Sequence, residues 1–208
     1  GAADVTALAI GGDGAIWAAV SDLASGTALY RSDDDGRSFK LNIQPVIPAD
    51  LNDDWNLITR VILPVVDQSD IFPGAGNQTG LSGTVASLFF SPKAPTAGGW
   101  IWGAGPVFLL PTGTDNLLTA YKWGLGPTGV VLRQEGPWTY GALANHIWSV
   151  PGSSSRADVN SSFVQPFLTY TTPSAWSFLL QAEASYDWER REASVPVGAF
   201  IGKVTHIG

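Results

Sequence analysis

Two stretches of the chain alternate between apolar and polar residues over a dozen positions each. In residues 176–188 the even-numbered positions are apolar and the odd-numbered positions are polar, except Leu179. In residues 138–148 the even-numbered face has aromatic residues at both ends and small residues between them, and Thr139, Gly141 and Asn145 are among the residues opposite. A period of two is that of a β-strand, whose side chains point to opposite faces in turn. The pattern predicts two long strands, each with one apolar and one polar face.

Further β-rich segments occur along most of the chain, separated by turns that contain glycine or proline. The 208 residues include 24 glycines and 14 prolines, and helical periodicity is weak throughout. We expect strands near residues 41–48, 55–66, 81–91, 100–111, 121–133, 137–149, 161–172, 175–188 and 194–206. Short connections between such strands favour an all-β fold in which successive strands pair antiparallel as a meander.

Tryptophans stand at the two ends of both alternating segments. Trp138 and Trp148 are ten residues apart, and Trp176 and Trp188 are twelve apart. Ten steps of a strand cover about 33 Å, and a tilt of about 40° reduces this to about 25 Å, the height of the apolar band of an outer-membrane barrel. We therefore expect these four tryptophans to form aromatic girdles at the two water boundaries of a transmembrane-type β-barrel.

A water-soluble sandwich or lipocalin-like barrel is the alternative fold, because its strands also alternate and its core also contains aromatic residues. A dry core, however, requires large residues in the middle of its strands, whereas here the middle positions are small. If the barrel interpretation holds, polar residues opposite the apolar faces line the lumen. The candidates for this lining are Arg60, Arg133, Gln181, Glu183 and Asp187.

A motif of the form Trp-Gly-x-Gly-Pro occurs twice, 21 residues apart. The first copy starts at Trp102 and the second at Trp123, so that Pro106 corresponds to Pro127. This spacing equals one strand plus one connection, and it predicts neighbouring strands in which the glycines allow close backbone approach. Prolines interrupt several strand-like segments, and we expect them at bulges or near one rim. These prolines are Pro45, Pro64, Pro106, Pro127, Pro166 and Pro196.

Composition excludes several classes of function. The net charge is −7, with only 11 lysines and arginines, which argues against a nucleic-acid partner. The chain has no cysteine and two histidines without metal-ligand spacing, so we expect neither a metal nor another cofactor. The sequence has no uninterrupted run of about 18 apolar residues, so it does not predict a transmembrane helix.

Sites for chemistry are few, and we expect no catalytic residues. His146 lies on the apolar face of its strand next to Asn145, but that face of the strand has no serine, and the chain has no Gly-x-Ser-x-Gly motif. A serine hydrolase is therefore disfavoured. The acidic stretches at residues 33–35 and 52–54 resemble calcium ligands, but turns explain both of them.

Several stretches between residues 41 and 207 resemble a family of bacterial envelope proteins. These stretches are LNIQPVIP, DDWNLITRVILPV, LFFSPKAP, WIWGAGPVFLLPT, KWGLGPTGVVL, GPWTYGALANHIWSV, RADVN, YDWE and SVPVG. The family is often labelled neuromedin U and is related to the outer-membrane barrel transporters named after the meta-pathway of phenol degradation. The resemblance implies an antiparallel membrane barrel, in a Gram-negative outer membrane, for the passage of small molecules.

The chain differs from this family at both ends. Members of the family look as though they continue with further strands at the C-terminus. We therefore expect residues 41–208 to form a barrel-type domain that lacks those last strands. Residues 1–40 instead resemble an Asp-box, a hairpin motif of propeller repeats, in which the turn residues have a structural role. The residues that match this motif are Ser32, Asp34, Gly36 and Phe39. The expectation is a short Asp-box-like hairpin segment before the barrel.

The sequence therefore predicts a non-enzymatic outer-membrane channel or transporter for small molecules, with membrane lipid as its surroundings. The alternative is a structural or assembly subunit whose open sheet is completed by other copies of the chain, as a homo-oligomer, or by a partner chain that adds a strand. Unsatisfied backbone groups at an open edge cannot face lipid, which is why the edge matters to both hypotheses.

Overall fold

The computed structural model describes residues 5–10, 16–22, 26–32, 38–150 and 156–203, with side chains from residue 39 onward. All regular structure in these residues is β-strand. The strands are β1 (Val5–Ile10), β2 (Ile16–Asp22), β3 (Gly26–Ser32), β4 (Ser38–Gln44), β5 (Val46–Asp50), β6 (Trp55–Ser69), β7 (Asn77–Leu81), β8 (Thr84–Pro92), β9 (Trp100–Leu110), β10 (Gly124–Glu135), β11 (Trp138–Ser149), β12 (Asn160–Thr171), β13 (Trp176–Ala182), β14 (Ala184–Asp187), β15 (Glu192–Ser194) and β16 (Val197–Lys203).

These strands form one antiparallel sheet in chain order. The order is β1-β2-β3-β4-β6-β8-β9-β10-β11-β12-β13-β16, with β5 and β7 paired to β6, β14 to β12 and β15 to β14. The predicted all-β antiparallel meander is confirmed. The short strand β7 was not expected from the sequence. Its five residues include one asparagine, one glutamine and one glycine, and they give no clear strand signal.

The two ends of this order lie against each other. β1 contacts β16, so the sheet curves round on itself as in a barrel. Within the described residues no ladder pairing joins these two strands. The described residues also contain no helix that is long and apolar enough to cross a membrane.

Two pairs of consecutive strands, β4 with β5 and β13 with β14, keep one register across the interruption between them. β4 and β5 pair with β6 in one register on either side of Pro45. β13 and β14 likewise share one register against β12, with Pro166 opposite Ala182 at the interruption. Because proline has no N–H to donate, each of these prolines leaves a gap in a ladder that then resumes. The prolines therefore lie within the walls of the sheet and not at a rim.

The expected boundary at residue 40 lies inside β4. This strand pairs with β3 on one side and with β6 on the other, so β1 to β3 extend the same sheet. The described residues thus form one continuous sheet across residue 40, and the N-terminal Asp-box-like segment stays a prediction. The sequence suggested a boundary because the character of the residues changes there, but backbone pairing does not require the same side-chain composition on neighbouring strands.

The sheet has an inner and an outer face, which the register assigns residue by residue. Directly paired residues of an antiparallel ladder share a face. The buried apolar side chains of the wall strands from β8 onward all share the inner face, and they are Phe89, Val107, Leu143, Ile147 and Phe200. The packed core therefore lies inside the curved sheet.

The two ends of the strands differ in their connections. At one end, which we call the short-turn end, strands from β5 onward are joined by residues 51–54, 93–99, 136–137 and 172–175. At the opposite, long-loop end, the connections include residues 111–123 and 150–159 and the excursion that contains β7. Asn52 shapes the first short turn by accepting hydrogen bonds at Oδ1 from the backbone N–H of Asp54 and Trp55, both at 2.9 Å. The acidic stretch at 52–54 is thus a hairpin turn.

Candidate functional site

Polar side chains from four strands and one strand junction gather on the inner face. We call them the inner polar cluster, and they are Gln44, Arg60, Gln165, Gln181 and Glu183. Gln165 on β12 donates from Nε2 to Gln181 Oε1 at 3.1 Å and to Glu183 Oε1 at 3.4 Å. Gln181 Nε2 also donates to Glu183 Oε1, at 3.2 Å. The carboxylate of Glu183 is therefore held by two neutral amides.

The backbone around Glu183 explains why this carboxylate lies in the inner face. Glu183 stands between β13 and β14, at the level where Pro166 and Pro196 interrupt the neighbouring ladders. Its N–H still finds an acceptor, the carbonyl oxygen of Pro196, at 2.9 Å. The continuous register on both sides of this interruption keeps Glu183 on the same face as Gln181. The prolines thus interrupt the ladder without reversing the faces of the sheet.

Arg60 contributes the positive charge of the cluster from a distant strand. Its Nη2 donates to Gln44 Oε1 at 2.6 Å, and it lies near enough to Glu183 for the two charges to interact. Arg60 belongs to β6 and Glu183 follows β13, six steps away in the strand order. The cluster therefore joins two sides of the wall through the interior. Opposite charge and hydrogen bonds from amides both lower the cost of placing Arg60 and Glu183 away from bulk water.

Apolar residues surround this cluster on the inner face. Val107 is fully buried, and Phe89 and Phe200 are nearly so. Phe163 and Phe167 flank Gln165 on the inner side of β12. The inner polar cluster therefore lies among buried apolar side chains on the inner face.

Of the five residues expected to line the lumen, Arg133 lies on the outer face, and Asp187 lies on the inner side but in a turn. Arg133 is paired with Trp100 and Tyr140 on the outer face, contrary to expectation. Its guanidinium lies 5.8 Å from the centre of the Trp100 ring and forms an ion pair with Glu135. Arg133 is near the end of β10, where a long cationic side chain can reach the water boundary while its stem stays on an apolar surface. This is why its charge did not indicate the inner face.

Asp187 is on the inner side of its strand but takes part in a turn. Its Oδ1 accepts hydrogen bonds from the backbone N–H of Glu189 at 2.9 Å and of Arg190 at 3.0 Å. Asp187 therefore shapes the hairpin between β14 and β15 and does not reach the inner polar cluster. Arg60, Gln181 and Glu183 are the predicted residues that the fold brings together.

Gln44 and Gln165 were not among the residues that the sequence predicted for the inner face. Gln165 has a local signal, because it alternates with Phe163 and Phe167 and is a polar residue between two aromatic ones on one face. Gln44 has none, since it precedes Pro45 at the end of β4 and only the register with β6 brings it to Arg60.

Aromatic residues form two bands on the outer face. Trp138 and Trp176 lie at the short-turn end, and Trp148 and Trp188 lie at the long-loop end; all four side chains are exposed. Trp138 packs on Tyr170 at a centroid distance of 4.8 Å, and Trp188 packs on Tyr186 at 4.7 Å. Further exposed tryptophans extend the bands, namely Trp100 and Trp102 at the short-turn end and Trp123 at the long-loop end.

Between these bands the outer face is apolar and exposed. Phe178, Leu180, Val164, Leu168 and Ile201 all point outward from neighbouring strands. A contiguous apolar surface of this kind marks contact with a membrane or another protein, because water disfavours it.

His146 lies in the outer band of the long-loop end. Its Nδ1 is 2.7 Å from Ser162 Oγ, and Ser162 Oγ also accepts a hydrogen bond from Trp188 Nε1 at 2.9 Å. The adjacent strand thus supplies the serine that the histidine's own strand lacks. The other ring nitrogen, Nε2, is buried without a hydrogen-bond partner. A catalytic triad requires a group that orients the second nitrogen, so this contact does not form one.

Ionic and polar contacts join the two long connections at the long-loop end. Lys122, which is buried, donates from Nζ to Asp158 Oδ1 at 2.6 Å. Arg156 donates to Asn116 Oδ1 at 2.7 Å and lies 4.9 Å from the centre of the Tyr121 ring. The hydrogen bond from Lys122, its positive charge and a hydrogen bond from Ser149 hold the pKa of Asp158 below its usual value.

The turn residues of the expected Asp-box, Asp34 and Gly36, lie outside the described residues, as does the side chain of Ser32. Phe39 is described: it stands in β4 opposite Asp67 and is exposed. The Asp-box resemblance therefore stays a prediction.

The fold is similar to that of a solved outer-membrane protein. The crystal structure of an outer membrane channel from Pseudomonas putida F1 superposes with a TM-score of 0.57 at 15% sequence identity, over 98% of this chain and 97% of the other. No family model matches the chain, and no curated protein matches it. At this identity the likeness concerns the fold, which is that of an outer-membrane β-barrel channel.

Proposed function

We propose that the chain is an outer-membrane channel of a Gram-negative bacterium, through which small molecules pass without chemical change. The observation that carries the proposal is the opposite character of the two faces. The outer face has an exposed apolar belt between two aromatic bands, as a lipid-facing wall requires. The inner face contains a charged, hydrogen-bonded cluster, which a lipid-facing surface could not accommodate at this depth. The likeness to a solved outer-membrane channel supports this reading.

Solutes would be selected at the inner polar cluster. Glu183 and Arg60 place one negative and one positive charge in the same layer, and rings or pairs of charged side chains set the ion preference of a pore. The hydrogen-bond partners of both charged groups are neutral amides: Gln165 and Gln181 bind Glu183, and Gln44 binds Arg60. Removal of either charge therefore leaves the layer with a net charge. The neighbouring amides remain in place to bind a polar group of the solute.

Conductance in planar lipid bilayers tests this role. We expect Glu183→Gln to shift the reversal potential in a potassium chloride gradient towards anion preference, because it removes the negative charge but keeps the shape. The matched control is Glu135→Gln, which removes the same charge from the outer face. A Glu183→Gln channel with unchanged ion preference, or an equal shift in the control, would contradict the proposed role of the cluster. A chain that forms no channels in the bilayer would contradict the proposed function itself.

For the orientation, we propose that the long-loop end faces the cell exterior and the short-turn end faces the periplasm. Outer-membrane barrels have long external loops and short periplasmic turns. The chain has no cysteine, so single cysteines at Asn116 and at Asp53 can report each end. In intact cells, a membrane-impermeant maleimide should label the cysteine at position 116 and leave that at position 53 unlabelled. The reverse pattern would contradict this orientation.

Membrane lipid is the partner that this proposal requires. A second copy or a sheet-completing chain is the alternative partner, and the lack of ladder pairing between β1 and β16 within the described residues is the observation that favours it. The mass of the detergent-solubilised particle separates the two. A monomer supports the channel formed by one chain, whereas a defined oligomer, particularly one that is stable without detergent, supports the assembly role.

A further inference from the structure

The two copies of the Trp-Gly-x-Gly-Pro motif meet in the wall. Pro106 on β9 is directly opposite Pro127 on β10, and both point outward. The ladders on either side of this pair are interrupted, between β8 and β9 opposite Pro106 and between β10 and β11 opposite Pro127. The repeated motif therefore produces one local defect that spans four strands.

The glycines of the motif draw the neighbouring backbones inward at this defect. A Cβ atom at Gly105 would collide with the carbonyl oxygen of Leu88, and one at Gly126 would collide with the carbonyl oxygen of His146. Only glycine allows the strands to approach this closely. The wall is therefore indented where the two prolines stand side by side.

An apolar groove of about 550 Å³ lies at this indentation. Its lining includes Pro106, Leu125, Pro127, Trp148 and Val150, together with the backbone of the two glycines and Ser149. All five named side chains point outward, so the groove opens on the outer face. It begins at the aromatic band of the long-loop end, marked by Trp148, and extends towards the middle of the wall.

We propose that this groove is a specific seat for one acyl chain of a membrane lipid in the leaflet next to the long-loop end. The proposal rests on the proposed membrane location. The groove is continuous with the exposed apolar belt, it lies beside the aromatic band on the side of the membrane centre, where the first part of an acyl chain lies, and its lining is almost free of polar atoms. Pro106 and Pro127 carry no N–H, so the interrupted ladders expose no backbone donor at these two positions.

The experiment uses the full chain reconstituted in vesicles that contain a phosphatidylethanolamine with a photoactivatable diazirine in its acyl chain. After irradiation, mass spectrometry measures labelling of the groove residues and of Val164 and Leu168, which are outward and similarly exposed on β12. We expect labelling of the groove to exceed that of β12 at least several-fold and to saturate with increasing probe. We expect Leu125→Trp, which fills the groove, to abolish this excess, and Leu168→Trp to leave it unchanged.

Equal labelling of the two surfaces that rises linearly with the probe would show bulk lipid only and would overturn the proposal. An excess that persists in Leu125→Trp would also overturn it, as would displacement of the probe by an apolar solute but not by unlabelled phospholipid. Absence of labelling on both surfaces, in a chain that stays dispersed without detergent, would instead contradict the membrane location. If Leu125→Trp fails to fold, Val150→Phe provides a second filled groove with a smaller change.

Discussion

Leu180 and Gln181 are neighbours in the chain but belong to two different environments. Leu180 is 51% exposed on the outer face, whereas Gln181 is 9% exposed on the inner face, where it binds Glu183. In a water-soluble barrel this arrangement would be unfavourable, because the apolar residue would face water and the amide would be buried. The outer face is therefore suited to contact with lipid or with another protein.

The largest effect is expected from adding one carbon atom on the inner face at the proline defect. Gly126→Ala places a Cβ against the carbonyl oxygen of His146, and the backbone has to move because neither group is flexible. Overpacking relieved by side-chain shifts costs about 1–3 kcal/mol, and we expect this contact between two rigid backbones to cost more. We expect a large loss of folded barrel, measured by urea unfolding in lipid vesicles.

Gly129→Ala is the control for this prediction. It lies three residues later on β10, on the outer face, where an added Cβ would be 3.7 Å from the nearest backbone oxygen. Its unfolding free energy should be close to that of the unmodified chain. Equal destabilisation by the two substitutions would show that the crowding is not specific to the inner face.

A charge in the middle of the outer face is expected to have the next largest effect. Leu180→Lys puts an ammonium group among Phe178, Val164 and other outward apolar residues. In lipid a lysine near the membrane centre costs about 2–4 kcal/mol, whereas in water the same exposed position would tolerate it. Unfolding in lipid vesicles measures the difference, with Thr171→Lys at the end of β12 as the control. An unchanged free energy of unfolding in Leu180→Lys would contradict the assignment of this face to lipid.

The aromatic bands should have a smaller effect that depends on position. Trp138→Ala removes an exposed side chain that also packs on Tyr170, and we expect a loss of about 1 kcal/mol, since aromatic pairs contribute roughly 0.5–1.5 kcal/mol beyond area burial. The check is a double-mutant cycle with Tyr170→Ala in lipid vesicles. No coupling between the two positions would contradict the contact.

The smallest effect concerns the contact between the two long connections. The pKa of Asp158 is held below its usual value by Lys122. The contribution of this pair to stability is therefore complete above the unfolded-state pKa, about 3.9, and is lost as the pH falls through the lower folded-state pKa. The protection of the Val159 amide from hydrogen exchange, relative to its intrinsic rate, should fall on acidification, because this amide donates to Ser149 Oγ at 3.1 Å.

In Asp158→Asn the same amide should exchange faster at neutral pH, and acidification should add little beyond the intrinsic pH dependence. If the variant and the unmodified chain respond alike to acid, Asp158 is not the group that titrates. Since Asp158 is largely exposed, the change should stay local and leave the unfolding midpoint almost unmoved.

The sequence by itself determined the two-sided character of the wall. A strand has a period of two, so the alternation in residues 138–148 and 176–188 predicted which side chains share a face, independently of any neighbour. The outward position of the four tryptophans and the inward position of Gln181 and Glu183 follow from this local rule. It fails for Arg133, because near the end of a strand the solvent changes with depth and an arginine on the outer face can reach water.

Only the tertiary structure decided which strands bring their residues together. Gln44 meets Arg60, Ser162 meets His146, and Pro106 meets Pro127 because of the register between strands, which depends on turn lengths and on packing across the whole sheet. The approach of Arg60 to Glu183 depends in addition on the curvature that brings distant strands face to face. A repeating local pattern contains no information on the register or on the curvature. The inner polar cluster and the groove at Pro106 and Pro127 therefore form only in the folded sheet.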